Sequence, residues 1–262
     1  MKNIQLVIPA AGLGSRFASI GINTPKPLIQ VLELPMIAWV IGNFKLLSSD
    51  KVIIITRPEL GLEEELLPIT KNLNFPVSFV YVDHVTEGPA ISVSLAKSLL
   101  KMDDSLIVAN SDQFVSSDLG NFLDEVRGGK SDGQILTMNA SGNKWSYVKR
   151  NESSEIIEIK EKVEISDEAT VGIYGWSQAL NFFNSLQFMV SADDRTNGEF
   201  YVAPTYNYLV QEGLIISGLN IGNVESQVHG LGTPEDLEIF NNQPDQLDFL
   251  KHVKMNLNLG GL

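Results

Sequence analysis

The chain has 262 residues, no cysteine and a formal net charge of −13. This charge disfavours binding to nucleic acid or to an anionic membrane, so an anionic ligand needs a local cluster of basic side chains. The lack of cysteine excludes disulfides and zinc–thiolate sites, and no apolar run approaches the roughly 20 residues of a membrane span. We therefore expect a cytoplasmic protein that forms a single domain over residues 1–262.

Short apolar runs alternate with amphipathic segments in the first part of the chain. The pattern predicts buried strands at 4–8, 51–56, 77–82 and 105–109, and helices at 35–47, 59–72 and 89–101. Strands that alternate with helices form a parallel sheet through right-handed crossovers, so residues 1–112 should form a nucleotide-binding half. Ligands of such sheets bind beyond the carboxyl ends of the strands. The loops after Ile8, Val82 and Ala109 should therefore meet.

The pattern changes after Asp112, where turns rich in Gly, Asn and Ser replace the long helices. Strands are predicted at 133–139, 145–149, 156–160, 169–176 and 214–221, and helices at 178–189, 204–212 and 234–240. Residues 113–240 should insert these strands into the fold and close the site. Residues 241–262 should form a helical tail that packs on the domain or on a second subunit. The predicted class is α/β, with a Rossmann-like, mixed but mainly parallel sheet.

The first predicted strand runs into Pro9-Ala-Ala-Gly-Leu-Gly-Ser-Arg-Phe. Gly12 and Gly14 permit close approach of a ligand, so that successive backbone amides can point at phosphate oxygens. Arg16 adds a planar cation that can bind two oxygens, and Lys26 is held between two prolines. A structural glycine turn and a solvated surface lysine are the alternatives. A dinucleotide fingerprint would need glycine where Phe17 stands, and the Gly-Lys-Ser/Thr of a P-loop is absent.

Residues 11–17, taken with Pro25-Lys-Pro-Leu, resemble the Gly-x-Gly-(Ser/Thr)-Arg…Pro-Lys-x-Leu signature of the sugar-phosphate nucleotidylyltransferases, or pyrophosphorylases. The similarity continues through Asn110-Ser-Asp112 and Glu161-Lys162 to Gly232-Thr-Pro-Glu-Asp, so it spans nearly the whole chain. It implies a GT-A-like nucleotidyltransferase fold. It also implies that a sugar 1-phosphate oxygen attacks the α-phosphorus of a nucleoside triphosphate in line, and that pyrophosphate leaves. Catalysis would then be mainly positioning and charge neutralisation.

The resemblance also implies a role for each matching residue. Arg16 and Lys26 would stabilise charge on the α-phosphate and the departing pyrophosphate, and Asp112 would bind Mg²⁺. The nucleotide would be bound by Ala10, Ala11, Gly12, Leu13, Gly14, Ser15, Gly88 and Asn110. The sugar phosphate would be bound by Glu161 through its hydroxyls, by Lys162 through its phosphate, and by Gly172 and Arg195.

Structural explanations compete with several of these roles. Asp112 could cap a helix or end a strand, and Glu161-Lys162 could belong to an exposed charged edge. Gly172 could mark a β-bulge, Arg195 could form a surface ion pair, and Gly88 could simply begin a helix.

The proposed metal site departs from the family pattern at one position. The family usually has a second carboxylate just before its Gly-Thr segment, and Gly230 occupies that position here. His229, Glu199 or Asp236 could compensate, but histidine is a poor magnesium ligand and the two acids could be surface or capping groups. We therefore expect Asp112 to be the only carboxylate ligand, with phosphate and water completing the coordination.

Two other functions also fit parts of the sequence. A nucleotide-sugar-dependent glycosyltransferase would share the nucleotide-binding half, with Asn110-Ser-Asp112 as a degenerate Asp-x-Asp, but it leaves Arg16 with Lys26 unexplained. A non-catalytic sensor of nucleotides or sugar phosphates would explain the missing second acid. Neither the base nor the acceptor can be assigned from the sequence. Surface-polysaccharide precursor synthesis and a homo-oligomer are further expectations.

Overall fold

The computed structural model of the chain describes residues 1–223 and 226–260. Its strands are β1 (Ile4–Pro9), β2 (Gln30–Val31), β3 (Leu34–Pro35), β4 (Lys51–Thr56), β5 (Val77–Tyr81), β6 (Ser105–Ala109), β7 (Gln113–Val115), β8 (Gly133–Asn139), β9 (Ser146–Arg150), β10 (Ile156–Glu161), β11 (Glu168–Trp176), β12 (Ile216–Asn223) and β13 (Val228–Gly230). Its α-helices are α1 (Ser15–Ala18), α2 (Met36–Gly42), α3 (Leu62–Thr70), α4 (Pro89–Ser94), α5 (Gly120–Gly128), α6 (Ala179–Ser191), α7 (Tyr206–Gln211), α8 (Pro234–Asn241) and α9 (Gln246–Asn256).

A nine-stranded mixed sheet runs through the molecule. Its main path is β10-β9-β11-β6-β1-β4-β5, and β8 joins β11 to β12 beside that path. The strands β6, β1, β4 and β5 are parallel, whereas β11 runs antiparallel to β6. The predicted class is therefore correct, with the parallel strands in the first half and the inserted strands in the second. Two small sheets, β2–β3 and β7–β13, lie outside this sheet.

Both faces of the parallel strands are covered, which is why these strands have almost continuously apolar sequences. On β1, Leu6 and Ile8 pack in a core cluster with Trp39 of α2, whereas Val7 faces the opposite cluster with Val93 of α4. All five side chains are fully buried. Burial of apolar surface stabilises a fold by roughly 25 cal/mol per Å². The packing of these two clusters therefore fixes the positions of the parallel strands and of the loops that follow them.

The sequence pattern located the strands better than the helices. The predicted strand at 51–56 has the observed bounds of β4, whereas the helix predicted at 89–101 consists of α4 and a separate 3₁₀ turn, Lys97–Leu99. The sequence pattern did not predict α5 or the short pair β7–β13. The two strands have three residues each, which is too few for a periodic pattern, whereas α5 carries its buried Phe122, Leu123 and Val126 at helical spacing and could have been predicted.

The helical tail packs on its own chain. Val253 of α9 lies against Gly42 of α2, where a Cβ would come within 2.6 Å of its side chain. Asn256 donates its side-chain amide to the Gly42 carbonyl at 2.8 Å. The described part of the tail therefore packs on the domain. Within the same described ranges, the helices are all too short or too polar to cross a membrane.

Candidate active site

The loop after β1 forms the wall of a cavity of about 280 Å³. Gly14 has φ 62° and caps α1, accepting backbone hydrogen bonds from Phe17 at 3.1 Å and Ala18 at 3.2 Å. A Cβ on Gly14 would lie 3.3 Å from the Lys26 Cβ, so the loop and the lysine segment are in close contact. The structure thus brings together the two parts of the N-terminal signature, which the sequence separates by a turn.

The loop has a fixed base and an open tip. Ala10 and Ala11 are buried, and the Ala10 amide donates to the Ile55 carbonyl at 2.7 Å. Leu13 is 67% exposed, and apart from the two chain neighbours of Gly12 no atom of the described residues lies within 4 Å of the position that a Cβ on Gly12 would take. Arg57 donates its Nε to the Ala11 carbonyl at 3.0 Å and therefore positions the base of the loop. The sequence gives no signal for this contact, because Arg57 lies 46 residues from Ala11 along the chain.

The cationic and acidic catalytic candidates lie in direct contact. Lys26 opens a 3₁₀ turn, Lys26–Leu28, and its ammonium forms an ion pair with the Asp112 carboxylate. About a quarter of each side chain remains exposed. Both groups therefore face the same edge of the sheet, and either can exchange its partner for a ligand.

Asp112 is held in place by the small β7–β13 sheet. Its carbonyl accepts from the Leu231 amide at 2.8 Å, and the Asn43 side chain bonds the Gln113 carbonyl and the Val115 amide, both at 2.9 Å. Asn43 is buried and was not recognised from the sequence, since a lone asparagine in an apolar helix carries no motif.

A second cavity, of about 900 Å³, extends from Arg16 and Asp112 to the strands of the second half. Glu161 lies at its far end, and burial raises the pKa of this carboxyl. Ser146 donates a hydrogen bond to Glu161 and is itself buried. The carboxylate is therefore pre-oriented, and it can accept hydrogen bonds from hydroxyl groups in the cavity.

Lys162 adds a cation to the same end of the cavity. Its backbone has φ 58° and donates to the Trp145 carbonyl at 2.9 Å. Its ammonium lies 4.5 Å from the centroid of the Tyr201 ring and donates to the Tyr201 hydroxyl at 2.5 Å. A left-handed conformation is uncommon for a lysine, and it turns the side chain out of the strand towards the cavity.

Gly172 joins the two ends of the site. It lies in the register shift between β11 and β8, with φ 86°, so the β-bulge explanation describes its backbone. Its carbonyl accepts from the Asn110 amide at 2.9 Å, and a Cβ would overlap the side chains of Asn110 and Gln113. All three residues line the larger cavity. The absence of a side chain at Gly172 therefore leaves room for the Asn110 and Gln113 side chains beside the larger cavity.

Two predicted site residues are used in contacts within the protein. Arg195 forms ion pairs with Glu87 and Asp193, and it is not among the described residues that line either cavity. Gly88 has φ 126°, and a Cβ there would lie 2.5 Å from the Phe200 carbonyl oxygen. Close backbone packing thus accounts for the glycine. The roles of both residues towards substrate stay predictions.

Of the three compensating residues considered for Gly230, Asp236 is the one that lines the cavity with a carboxylate that has no hydrogen-bond or ion-pair partner among the described residues. His229 lines the cavity but is 5% exposed among phenylalanine rings, and burial lowers its pKa to about 4. Glu199 is not among the described residues that line either cavity. In the described ranges, no group of three or more His, Cys, Asp or Glu side chains is arranged to hold a metal ion.

Comparison with known proteins agrees with this geometry. A family model described as nucleotidyl transferase matches residues 5–201. A UTP–glucose-1-phosphate uridylyltransferase of Haloferax volcanii is 21% identical over 238 residues, which cover 89% of this chain and 93% of that protein. The catalytic subunit beta of mannose-1-phosphate guanylyltransferase of Dictyostelium discoideum is 25% identical over 178 residues, which cover 65% of this chain and 49% of that protein. The chain thus matches about half the length of the second relative.

A solved structure has a similar fold. The nucleoside-diphosphate-sugar pyrophosphorylase of Vibrio cholerae superposes with a TM-score of 0.77 at 25% identity. The match covers 91% of this chain and 100% of that one. The similarity therefore covers most of this chain and the whole of that one.

Proposed function

The chain belongs to the nucleotidyl transferase family and is an enzyme of the sugar-phosphate nucleotidyltransferase class, and we propose that it joins a nucleoside triphosphate to a sugar 1-phosphate, giving an NDP-sugar and pyrophosphate. One observation carries this proposal. Arg16 and Asp112 line the same cavity as Glu161 and Lys162, so a phosphate-binding end and a hydroxyl-binding end face each other across one space.

The glycine loop and its two cations would bind the triphosphate. The open tip at Gly12 leaves space for phosphate oxygens beside the backbone, and Arg16 and Lys26 offer opposite charge. In the proposed in-line displacement the acceptor phosphate oxygen forms the new P–O bond and pyrophosphate leaves with its electron pair. Lys26 would stabilise the charge that accumulates on the phosphate oxygens, and Arg16 would orient them.

The residues around Asp112 fit a magnesium ion. Magnesium prefers oxygen ligands and is commonly held by one or two carboxylates with substrate phosphates. Asp112 supplies a carboxylate, and the neighbouring Gln113 presents a buried Oε1 that has no hydrogen-bond partner among the described residues. When bound, the ion would neutralise phosphate charge. Asp112 would then exchange Lys26 for the metal and leave the ammonium to the triphosphate.

The far end of the cavity would bind the acceptor. Glu161, oriented by Ser146, would accept hydrogen bonds from sugar hydroxyls, and it does so best when ionised. Lys162 would move its ammonium from the Tyr201 hydroxyl to the acceptor phosphate. Trp145 and Lys144 line the same end, with the ammonium 4.7 Å from the ring centroid.

The test is calorimetric binding of UTP, dTTP, CTP, GTP and UDP with magnesium, followed by pyrophosphate release with a panel of sugar 1-phosphates. Lys26→Ala should weaken triphosphate binding and lower turnover by several kcal/mol of transition-state stabilisation, because it removes a charge that acts on phosphate oxygens. Lys251→Ala is the matched control, since Lys251 is 76% exposed and its ion pair within the described residues is with Asp248.

The outcomes separate the three candidate functions. Selective triphosphate binding, with pyrophosphate release that depends on Lys26, supports the nucleotidyltransferase. Preference for UDP over UTP would instead indicate a glycosyltransferase. Binding without turnover for every acceptor would indicate a sensor. We further propose that the product feeds surface-polysaccharide synthesis, because an NDP-sugar is an activated glycosyl donor; the family resemblance is the support for this role.

A further inference from the structure

Asp236 lies in the first turn of α8, and its carboxylate occupies the space beside Gly230. A Cβ on Gly230 would lie 3.0 Å from the Asp236 Cγ and 3.2 Å from each of its carboxylate oxygens. A side chain at position 230 would therefore need the volume that the Asp236 carboxylate already fills. The glycine and the aspartate are complementary: the absence of a side chain at one position makes room for the carboxylate at the other.

Asp112 stands in the same relation to Gly232. A Cβ on Gly232 would overlap the Asp112 carboxylate, and Asp112, Asp236 and both glycines line the larger cavity. Positions 230 and 232 are two residues apart, which is about 7 Å in an extended chain. The two carboxylates therefore lie beside neighbouring positions of one short segment and face one cavity.

The Asp236 carboxylate has no structural partner in the described part of the chain. Helix α8 is capped by Thr233, whose hydroxyl accepts a hydrogen bond from the Asp236 backbone amide at 3.0 Å. This cap uses the amide and leaves the carboxylate unused. A negative charge in the first turn of a helix is favoured by the helix dipole, so the dipole accounts for an acidic residue here. Neither the dipole nor the Thr233 cap explains why the carboxylate faces the cavity.

A third oxygen faces the same segment. Gln113 pairs with Gly230 in the antiparallel β7–β13 ladder, so its side chain lies on the face to which a Cβ at position 230 would point. The residue is 9% exposed, and its Oε1 is buried without a hydrogen-bond partner among the described residues. An unsatisfied buried amide oxygen costs about 1–3 kcal/mol unless a ligand or water satisfies it.

We propose that Asp236 supplies the second carboxylate of a divalent-cation site with Asp112, and that the Gln113 Oε1 adds a neutral oxygen donor beside them. This inference rests on the proposed function and revises the sequence-based expectation of a single carboxylate. The site takes hard cations such as Mg²⁺ or Mn²⁺, because all three donors are oxygens. The acid comes from the helix that follows the Gly-Thr segment and not from the strand that precedes it.

The experiment is Mn²⁺ binding to the substrate-free full chain, followed by electron paramagnetic resonance and needing no turnover. Asp236→Asn should weaken Mn²⁺ binding at least tenfold, because the side-chain amide keeps the shape of the carboxylate and removes its negative charge. Glu235→Gln is the control, since it removes the same charge from the adjacent position of the same helix turn. The double variant Gly230→Asp with Asp236→Ala should recover binding, because alanine vacates the volume beside position 230 and the new carboxylate can occupy it.

The results distinguish this inference from the function on which it rests. Mn²⁺ affinity that is lost in Asp112→Asn but unchanged in Asp236→Asn would overturn the role of Asp236 and leave the proposed function standing. Wild-type protein that binds no Mn²⁺ would overturn the inference, and the proposed function would then be judged separately by pyrophosphate release. An equal loss of Mn²⁺ affinity in Glu235→Gln would mean that any negative charge near the cavity has the same effect, and it would also overturn the inference. Thermal melting of each variant reports whether the fold is intact.

Discussion

Gly12 offers a direct test of the proposed phosphate-binding loop, because the space for a side chain there is empty. Apart from its two chain neighbours, no atom of the described residues lies within 4 Å of its Cβ position, and it is not among the glycines with positive φ. Alanine at such a position stabilises a protein by about 0.4–1 kcal/mol, because it restricts the unfolded chain. We therefore expect Gly12→Ala to fold at least as stably as wild type. If folding were the only reason for this glycine, the variant would be fully active.

The proposed function requires the opposite result for ligand binding. A methyl group at Gly12 would project into the space assigned to the phosphates and displace them, and a misplacement of about 1 Å can cost roughly 10²-fold in rate. We expect triphosphate affinity or turnover to fall by about that factor, which corresponds to about 2.7 kcal/mol. Urea unfolding and calorimetry with the preferred triphosphate measure the two effects separately.

Two further glycines calibrate the result. Gly128→Ala is the matched control, since its Cβ space is also empty and its φ is not positive, yet it lies at the end of α5 outside the site. It should change neither binding nor turnover. Gly14→Ala should instead lose about 1–2 kcal/mol of stability, because φ 62° is unfavourable with a side chain. Normal triphosphate binding by Gly12→Ala would refute the assignment of this loop to phosphate.

Three other predictions concern buried polar groups. Asp50→Ala should lower the free energy of unfolding by about 3–5 kcal/mol in urea titrations, because it leaves the buried Arg127 guanidinium without its partner; a loss below about 1 kcal/mol would contradict this. The pKa of His229, about 4 against an ordinary 6.5, means that stability present above pH 6.5 is lost as the pH falls to about 4, by about 3 kcal/mol. His229→Gln should flatten that part of the stability curve, and an unchanged curve would assign the loss to other groups. Because Ser146 lowers the raised pKa of Glu161, Ser146→Ala should move the acid limb of the acceptor KM profile to higher pH; a shift in kcat alone would count against it.

The local order of elements was readable from the sequence where burial is two-sided. Short runs of Val and Ile such as 51–56 are typical of strands that are buried on both faces, so the pattern alone predicted the parallel core. The glycine loop and Lys26 were likewise paired from the sequence, and the structure places them in contact; their role towards phosphate stays a prediction. Helix ends were less accurate, since capping and 3₁₀ turns depend on neighbours that a sequence window does not contain.

Contacts between distant segments were decided only by the tertiary structure. The sequence could report that Gly230 lacks a carboxyl group, but not that α8 places Asp236 in the volume left beside it. Nor could it show that Arg57 supports the loop at Ala11, or that Arg195 is held by Glu87 on the surface. Each of these depends on where two elements meet after folding. Charge and conformational preference are properties of a residue and its neighbours along the chain, whereas the partner of a side chain is set by the packing of the whole sheet.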